Sequence, residues 1–171
     1  GVAQMLDIGL IDETGRIDDE WEPKSPEQSE ILNNISEIGN MSALVIEGDI
    51  AITQKDIREL QNAKAAIAAG INVLVKQWGI NFSDIKNVYL AGRFGTYINI
   101  DSALKIGLIP SELRGRIHAV GNAAGQGAIE GLLSQECLSQ ANSISKKIKY
   151  VELSSSKDFN DFYIDCMMFE G

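Results

Sequence analysis

The residues best placed to do chemistry are Gly92, Arg93, Phe94 and Gly95. They follow an apolar run, Val88-Tyr89-Leu90-Ala91, and precede Ile98-Asn99-Ile100-Asp101, where a helical pattern opens. An apolar run broken by glycine ahead of a helix start predicts a buried strand, a tight turn and a helix N-terminus. The first amides of a helix lack intrahelical partners and carry partial positive charge, and glycine lets a ligand approach the main chain. Nucleotide binding is the chemistry this suits. G-x-x-G after a strand is also a common plain turn, so the spacing alone leaves both readings open.

A second unit of the same kind follows. Ile117–Val120 reads as a short strand running into Gly121-Asn122-Ala123-Ala124-Gly125-Gln126-Gly127-Ala128, and a helix continues through Ile129, Leu132, Leu133, Leu138, Ala141 and Ile144. Two strand–glycine–helix units in succession predict parallel strands with both glycine turns on one edge of the sheet. Gly121 and Asn122 therefore join the candidate set. Two more candidates come from the clearest helix, whose apolar residues Ile57, Leu60, Ala63, Ile67, Ile71, Leu74 and Trp78 recur every three or four positions. Gln61 and Lys64 lie between that face and the polar one, where such groups flank a ribose or base or simply meet solvent.

Other chemistry finds little support. The chain has no nucleophile–base pair, no H-E-x-x-H, no P-loop lysine motif and no C-x-x-C, so no catalytic residue is assigned. Cys137 and Cys166 are far apart, each in an apolar pattern, and with His118 they make a poor metal set. They read as two reduced, buried thiols of a cytoplasmic protein. His118, alone in its strand, reads as a packed or half-buried side chain rather than a catalyst. Asp7-Ile8-Gly9 superficially matches an Asp-x-Gly phosphate loop. A helical pattern (Val2, Met5, Leu6, Gly9) precedes it where a strand is needed, so that reading is rejected.

The remaining elements must carry this edge. Met41–Ile46 and Ile50–Thr53 around Glu47-Gly48-Asp49 predict a hairpin. Thr53-Gln54-Lys55-Asp56 has the form of a capping box that starts the long helix. Asp101–Ile106 reads as a short helix stopped by Gly107, Tyr150–Leu153 as a last strand, and Asp158–Phe169 as a closing amphipathic helix or tail. Residues 12–40, acidic and interrupted by Pro23 and Pro26, read as a loose solvated segment with one short helix near Glu27–Glu37. The chain of 171 residues suffices for one domain with a real core. Its formal net charge of −9 argues against nucleic acid as the main partner. Arg114-Gly115-Arg116 and Lys146-Lys147-Ile148-Lys149 read as solvated helix ends. No apolar run reaches membrane-spanning length and no signal-peptide pattern is present, so no membrane partner is expected.

Several spaced motifs in order resemble one family. They are Ile52-Thr53-Gln54-Lys55-Asp56-Ile57-Arg58-Glu59-Leu60-Gln61 with Ala63-Lys64-Ala65-Ala66-Ile67, Tyr89-Leu90-Ala91-Gly92 with Phe94-Gly95, and Ser102-Ala103-Leu104 with Ile106-Gly107-Leu108-Ile109-Pro110. Gly121-Asn122-Ala123-Ala124, and Tyr150-Val151-Glu152-Leu153-Ser154 with Asp158-Phe159-Asn160, complete them. The pattern is similar to the reductive activators of corrinoid proteins, over nearly the whole chain and least over residues 12–40.

The resemblance implies an α/β fold: a ribonuclease H-like, actin-type ATPase subdomain with a small mixed sheet and flanking helices, residues 1–171 forming one partial C-terminal piece of it. It implies a parent activator that joins a [2Fe–2S] ferredoxin-like domain to an ATPase of the acetate kinase, sugar kinase, Hsp70 and actin type. Such a parent uses ATP, with Mg, to drive electron transfer that reduces cob(II)alamin to cob(I)alamin on a corrinoid protein or corrinoid-dependent methyltransferase. The phosphate loops and cluster cysteines would lie upstream, so this piece is expected to be inactive alone. The turn at Gly92 would be the adenosine motif, lined by Gly92, Arg93, Phe94 and Gly95, flanked by Gln61 and Lys64, with Gly121 and Asn122 beside it. Arg93 stands where the family carries a small residue; its side chain reaches a phosphate, points to solvent or obstructs the base. The alternative function is a docking or dimerisation module, possible as a homodimer, that has lost nucleotide binding and uses the acidic segment and the Met/Phe tail.

Overall fold

The structure, a computed structural model, describes residues 1–169. It opens with α1 (Val2–Asp7), closed by Gly9 with φ 71°. A tight turn follows, joined by a bridge between Ile11 and Ile17. Then come α2 (Pro26–Leu32) and a three-stranded antiparallel sheet, β1 (Ile35–Ile38), β2 (Met41–Glu47) and β3 (Ile50–Thr53), in that order. The segment taken as one short helix near 27–37 thus splits into a helix and a strand: Ser25 caps α2 and Pro26 starts it, while β1 is claimed by pairing with β2. Ile17 and Trp21 are buried, and the Trp21 indole donates to the Ile8 carbonyl at 3.0 Å, which anchors the acidic segment to α1.

The predicted hairpin forms around Glu47–Asp49, and Thr53 caps α3 (Gln54–Trp78) with the reciprocal Asp56 contact. The buried face of α3 is not the one expected. Ile57, Gln61, Lys64, Ala65, Ala68, Ala69 and Val73 are buried, whereas Ala63, Ile67, Leu74 and Trp78 are exposed, Trp78 at 80%. Both sets repeat every three to four residues, so periodicity cannot choose between them. The alanines decide. They let α8 (Lys157–Asp165) lie close against α3.

A two-stranded parallel sheet follows: β4 (Val88–Ala91) with β5 (Ile117–Gly121), joined through α4 (Gly92–Tyr97) and α5 (Ile100–Lys105). The helix expected to open at Ile98–Asp101 is α5, and an additional helix, α4, starts at Gly92 itself. β4 is half-buried rather than buried, since Tyr89 and Ala91 face outward. The helix after β5 breaks at Ser134 into α6 (Ala123–Leu133) and α7 (Gln135–Ser145), because the Ser134 hydroxyl accepts from the Cys137 amide and caps a new helix. No strand forms at 150–153. There the Glu152 carboxylate accepts from the Tyr150 hydroxyl and from the Ser154 amide and hydroxyl, which turns the chain locally. One core, including Met5, Leu10, Ile17, Ile57, Leu104, Leu113 and Phe169, joins both ends of the chain. Among the described residues no helix is long and apolar enough to cross a membrane.

Candidate functional site

The parallel register sets the site. Val88 pairs with Ile117, Tyr89 with His118, Leu90 with Ala119, and Ala91 with Gly121, so both strands end side by side. Each then enters a glycine of positive φ, Gly92 at 82° and Gly121 at 63°, a conformation that strains any other residue by about 1–2 kcal/mol. A Cβ built on either glycine meets nothing within 4 Å. The rim is therefore open, with bare main chain facing outward at the carboxyl ends of two parallel strands, the usual ligand edge of such a sheet.

Gly95 and Gly125 serve the packing behind the rim. A Cβ on Gly95 would lie 2.6 Å from the Leu90 carbonyl oxygen, so α4 rests directly on the end of β4. Asn122 caps α6: its Oδ1 accepts from the Gly125 amide at 3.0 Å, and a Cβ on Gly125 would strike that side chain. Arg93 and Phe94 are exposed on α4, and the Thr96 hydroxyl donates to the Gly92 carbonyl at 3.0 Å. The Arg93 side chain is exposed beside the Gly92 turn.

The opposite ends of the strands are fixed by Arg116, expected at a solvated helix end. Arg116 Nη1 donates to the carbonyls of Phe82 and Ile85, both at 2.7 Å, and so ties the entry of β5 to the entry of β4. It is no solvated helix end. Its position directly before a strand was the available signal. Arg114 does remain at the surface, paired with Asp101 at 3.0 Å. His118 is exposed rather than packed inside; it hydrogen-bonds Asn87 at 3.0 Å and stacks on Tyr89 at 5.7 Å between ring centroids.

Six of the eight expected site residues thus lie at this edge, Gly92, Arg93, Phe94, Gly121 and Asn122 along the rim and Gly95 buried behind it. Gln61 and Lys64 stand elsewhere and are buried. Gln61 Nε2 donates to the carbonyls of Thr14 and Met167, both at 3.0 Å. Lys64 Nζ donates to the Met168 carbonyl and lies 5.3 Å from the Phe169 ring centroid. A cleft of ≈ 240 Å³ lies beside Lys64, lined also by Asn72, Phe82, Pro110, Glu112 and Cys166. Phe82, Pro110 and Glu112 lead into β4 and β5, so this cleft faces the entries of the strands and the glycine rim their exits.

Cys137, in α7, and Cys166, at the C-terminal end of α8, are both partly buried. No group of three or more metal-ligating side chains occurs among the described residues. The Glu152 carboxyl is held down to about 2 by the Ser154 hydroxyl first and the Tyr150 hydroxyl second. It belongs to the local turn, away from the rim's own residues.

A family model described as the C-terminal domain of RACo, the ASKHA domain, matches residues 1–171. The chain belongs to this family. Among curated relatives, the corrinoid activation enzyme RamQ of Eubacterium limosum is 40% identical over 121 residues, covering 71% of this chain and 20% of RamQ. The [Co(II) methylated amine-specific corrinoid protein] reductase of Methanosarcina barkeri is 31% identical over 123 residues, covering 71% of this chain and 23% of the relative. A solved reductive activator for corrinoid, iron-sulfur protein superposes with a TM-score of 0.81 at 30% identity, over 98% of this chain and 27% of its own. The ASKHA domain described here therefore spans about a fifth to a quarter of these longer proteins. The actin-type α/β fold expected from the motifs is the fold found.

Proposed function

We propose that this chain is the nucleotide-side portion of an ATP-dependent reductive activator. In that reading it is a single partial ATPase subdomain of a longer, cytoplasmic protein and is inactive alone. The longer protein drives cob(II)alamin to cob(I)alamin on a corrinoid protein or a corrinoid-dependent methyltransferase. The observation that carries the reading is the Ala91–Gly121 pairing, which sets two open, positive-φ glycine turns on one rim. The names of the relatives support the corrinoid partner. Bare main chain at Gly92 and Gly121 fits the close approach of a nucleoside, with Phe94 and Arg93 exposed beside it. Mg would arrive with ATP, and a [2Fe–2S] cluster would sit in another domain, since Cys137 and Cys166 form no ligand set.

The test compares Gly92→Ala with Gly92→Val in the full-length activator, by calorimetry with MgATP. Both variants are strained at this positive φ, the β-branched valine more so, and valine also fills the approach path, so affinity is compared on the folded fraction of each. Valine is expected to weaken ATP tenfold or more beyond alanine. Equal affinities for the two would remove Gly92 from the nucleotide site. A docking or dimerisation role is favoured by one observation, the exposed apolar side chains of α6, α7 and the segment after them, Leu132, Leu133, Ile148 and Tyr150. Partner binding that is indifferent to ATP would favour that role.

A further inference from the structure

Gln61 has a fully used amide. Both protons of Nε2 are donated, one to Thr14 and one to Met167, and Oε1 accepts from Arg58 Nη1 at 2.8 Å. Arg58 Nη1 also donates to the Thr14 carbonyl. Around this amide two distant segments meet. One is the turn at Asp12–Ile17, held further by Gln54, whose Nε2 donates to Gly15 at 2.7 Å and whose Oε1 accepts from the Ile17 amide at 2.9 Å. The other is Met167–Phe169, held by Lys64 and by the Phe169 amide donating to the Glu13 carbonyl at 2.8 Å. The Phe169 ring, 2% exposed, is part of the core. A Cβ on Gly15, which has φ 77°, would lie 2.7 Å from Gln61 Oε1, so turn and amide are in direct contact.

A buried amide cannot drop one carbonyl without leaving a proton unsatisfied, which is costly away from water. We infer that Gln61 makes the Asp12–Ile17 turn and the Met167–Phe169 segment one cooperative opening unit, a strap whose two ends lift together. The consequence reaches the surface. Asp12 and Arg16, the shoulders of the turn, wall a ≈ 440 Å³ acidic bowl with Gly9, Asp18, Asp19 and Glu20. Lifting the C-terminal segment reshapes that bowl. This device stands independently of the nucleotide reading.

Amide hydrogen exchange on this chain tests it. Phe169→Ala withdraws the plug, and Phe169→Leu does so more gently while keeping the core filled. Exchange of the Gly15, Arg16 and Ile17 amides should rise at least tenfold, while Val88 and Ala103 keep their protection. Gly15→Ala should in turn raise exchange at the Phe169 amide by a similar factor, since coupling between two sites is reciprocal. In a Gln61→Met background, Phe169→Leu should move the turn less than half as much, the bond from the Phe169 amide to Glu13 carrying what remains. An unchanged turn in Phe169→Leu, or equal acceleration at Val88 and Ala103, would overturn the coupling.

Discussion

The glycine rim and the Gln61–Lys64 clamp are two answers to the same question, where main-chain polar groups find partners. At the rim, Gly92 and Gly121 hold the backbone open and no side chain lies within 4 Å of where their Cβ atoms would stand. In the clamp, side-chain donors reach the carbonyls of Thr14, Met167 and Met168 inside the protein. Polar residues on a helix beside a sheet therefore divide by whether their polar atoms are already engaged. Gln61 and Lys64 hold the fold's two ends together; the main chain at Gly92 and Gly121 stays open, as the proposed nucleotide site requires. Substitutions in the clamp should cost stability and spare ligand binding, and substitutions at the exposed glycines should do the reverse.

The hardest test of that division is Gly95, which sits at the rim but is buried. A valine there would force its Cβ to within 2.6 Å of the Leu90 carbonyl and 2.7 Å of its carbon. Backbone atoms cannot yield cheaply, so Gly95→Val should destabilise the chain by about 3 kcal/mol, at the upper end for overpacking. Denaturant unfolding measures it. A loss below about 1 kcal/mol would show that α4 can lift off β4 and that the rim is less rigid than its packing implies. Next in size is Gln61→Leu, which strands the Met167 carbonyl and leaves the Thr14 carbonyl and Arg58 Nη1 with only each other. The expected loss is about 2 kcal/mol, with MgATP affinity of the full-length activator unchanged. An ATP affinity that falls in step would erase the contrast between the two regions.

Much of this fold could be read from residue order alone, for a physical reason. Thr53 with Asp56, Gly48 in the hairpin turn and the apolar runs before Gly92 and Gly121 are local signals that act within a few residues of themselves. The parallel rim followed because two strand–turn–helix units in succession leave little choice of handedness and edge. What could not be read depends on distant partners. The face that α3 buries is chosen by α8, about a hundred residues away, and by alanines that look unremarkable in sequence. Gln61 and Lys64 looked like ligand groups because their acceptors, Thr14, Met167 and Met168, carry no side-chain signal; the acceptors are carbonyls. Arg116 hid for the same cause. Tyr150–Leu153 has strand composition, but Glu152 draws the hydrogen bonds that a ladder would need.

A smaller effect sharpens the rim side. Gly92→Ala adds a methyl into open space, so only the positive φ is penalised, about 1–2 kcal/mol. Thermal unfolding of this chain should register that loss and no more. A larger loss would mean that the neighbouring Arg93 or Phe94 closes over the turn when it is perturbed.

The smallest effect concerns the clamp and acid. Burial pushes the Asp12 carboxyl up, but the Thr14 hydroxyl and the amides of Arg16, Thr14 and Gly15 together hold it below its ordinary value of 3.8. A carboxylate lowered on folding stabilises the folded state fully above its unfolded value, and that contribution is lost as pH falls through the lower, folded value. The turn should therefore loosen only below about pH 3.8, ahead of the rest of the chain. Trp21 reports on it, being buried and bonded to Ile8 behind the turn, once the exposed Trp78 is replaced by phenylalanine. Asp12→Asn keeps an acceptor for the same amides and cannot titrate, so its Trp21 signal should stay flat across that window. If the substituted chain shows the same acid step, the step belongs to another carboxylate and the turn is held by its other contacts, those of Gln54, Arg58, Gln61 and the Phe169 amide among them.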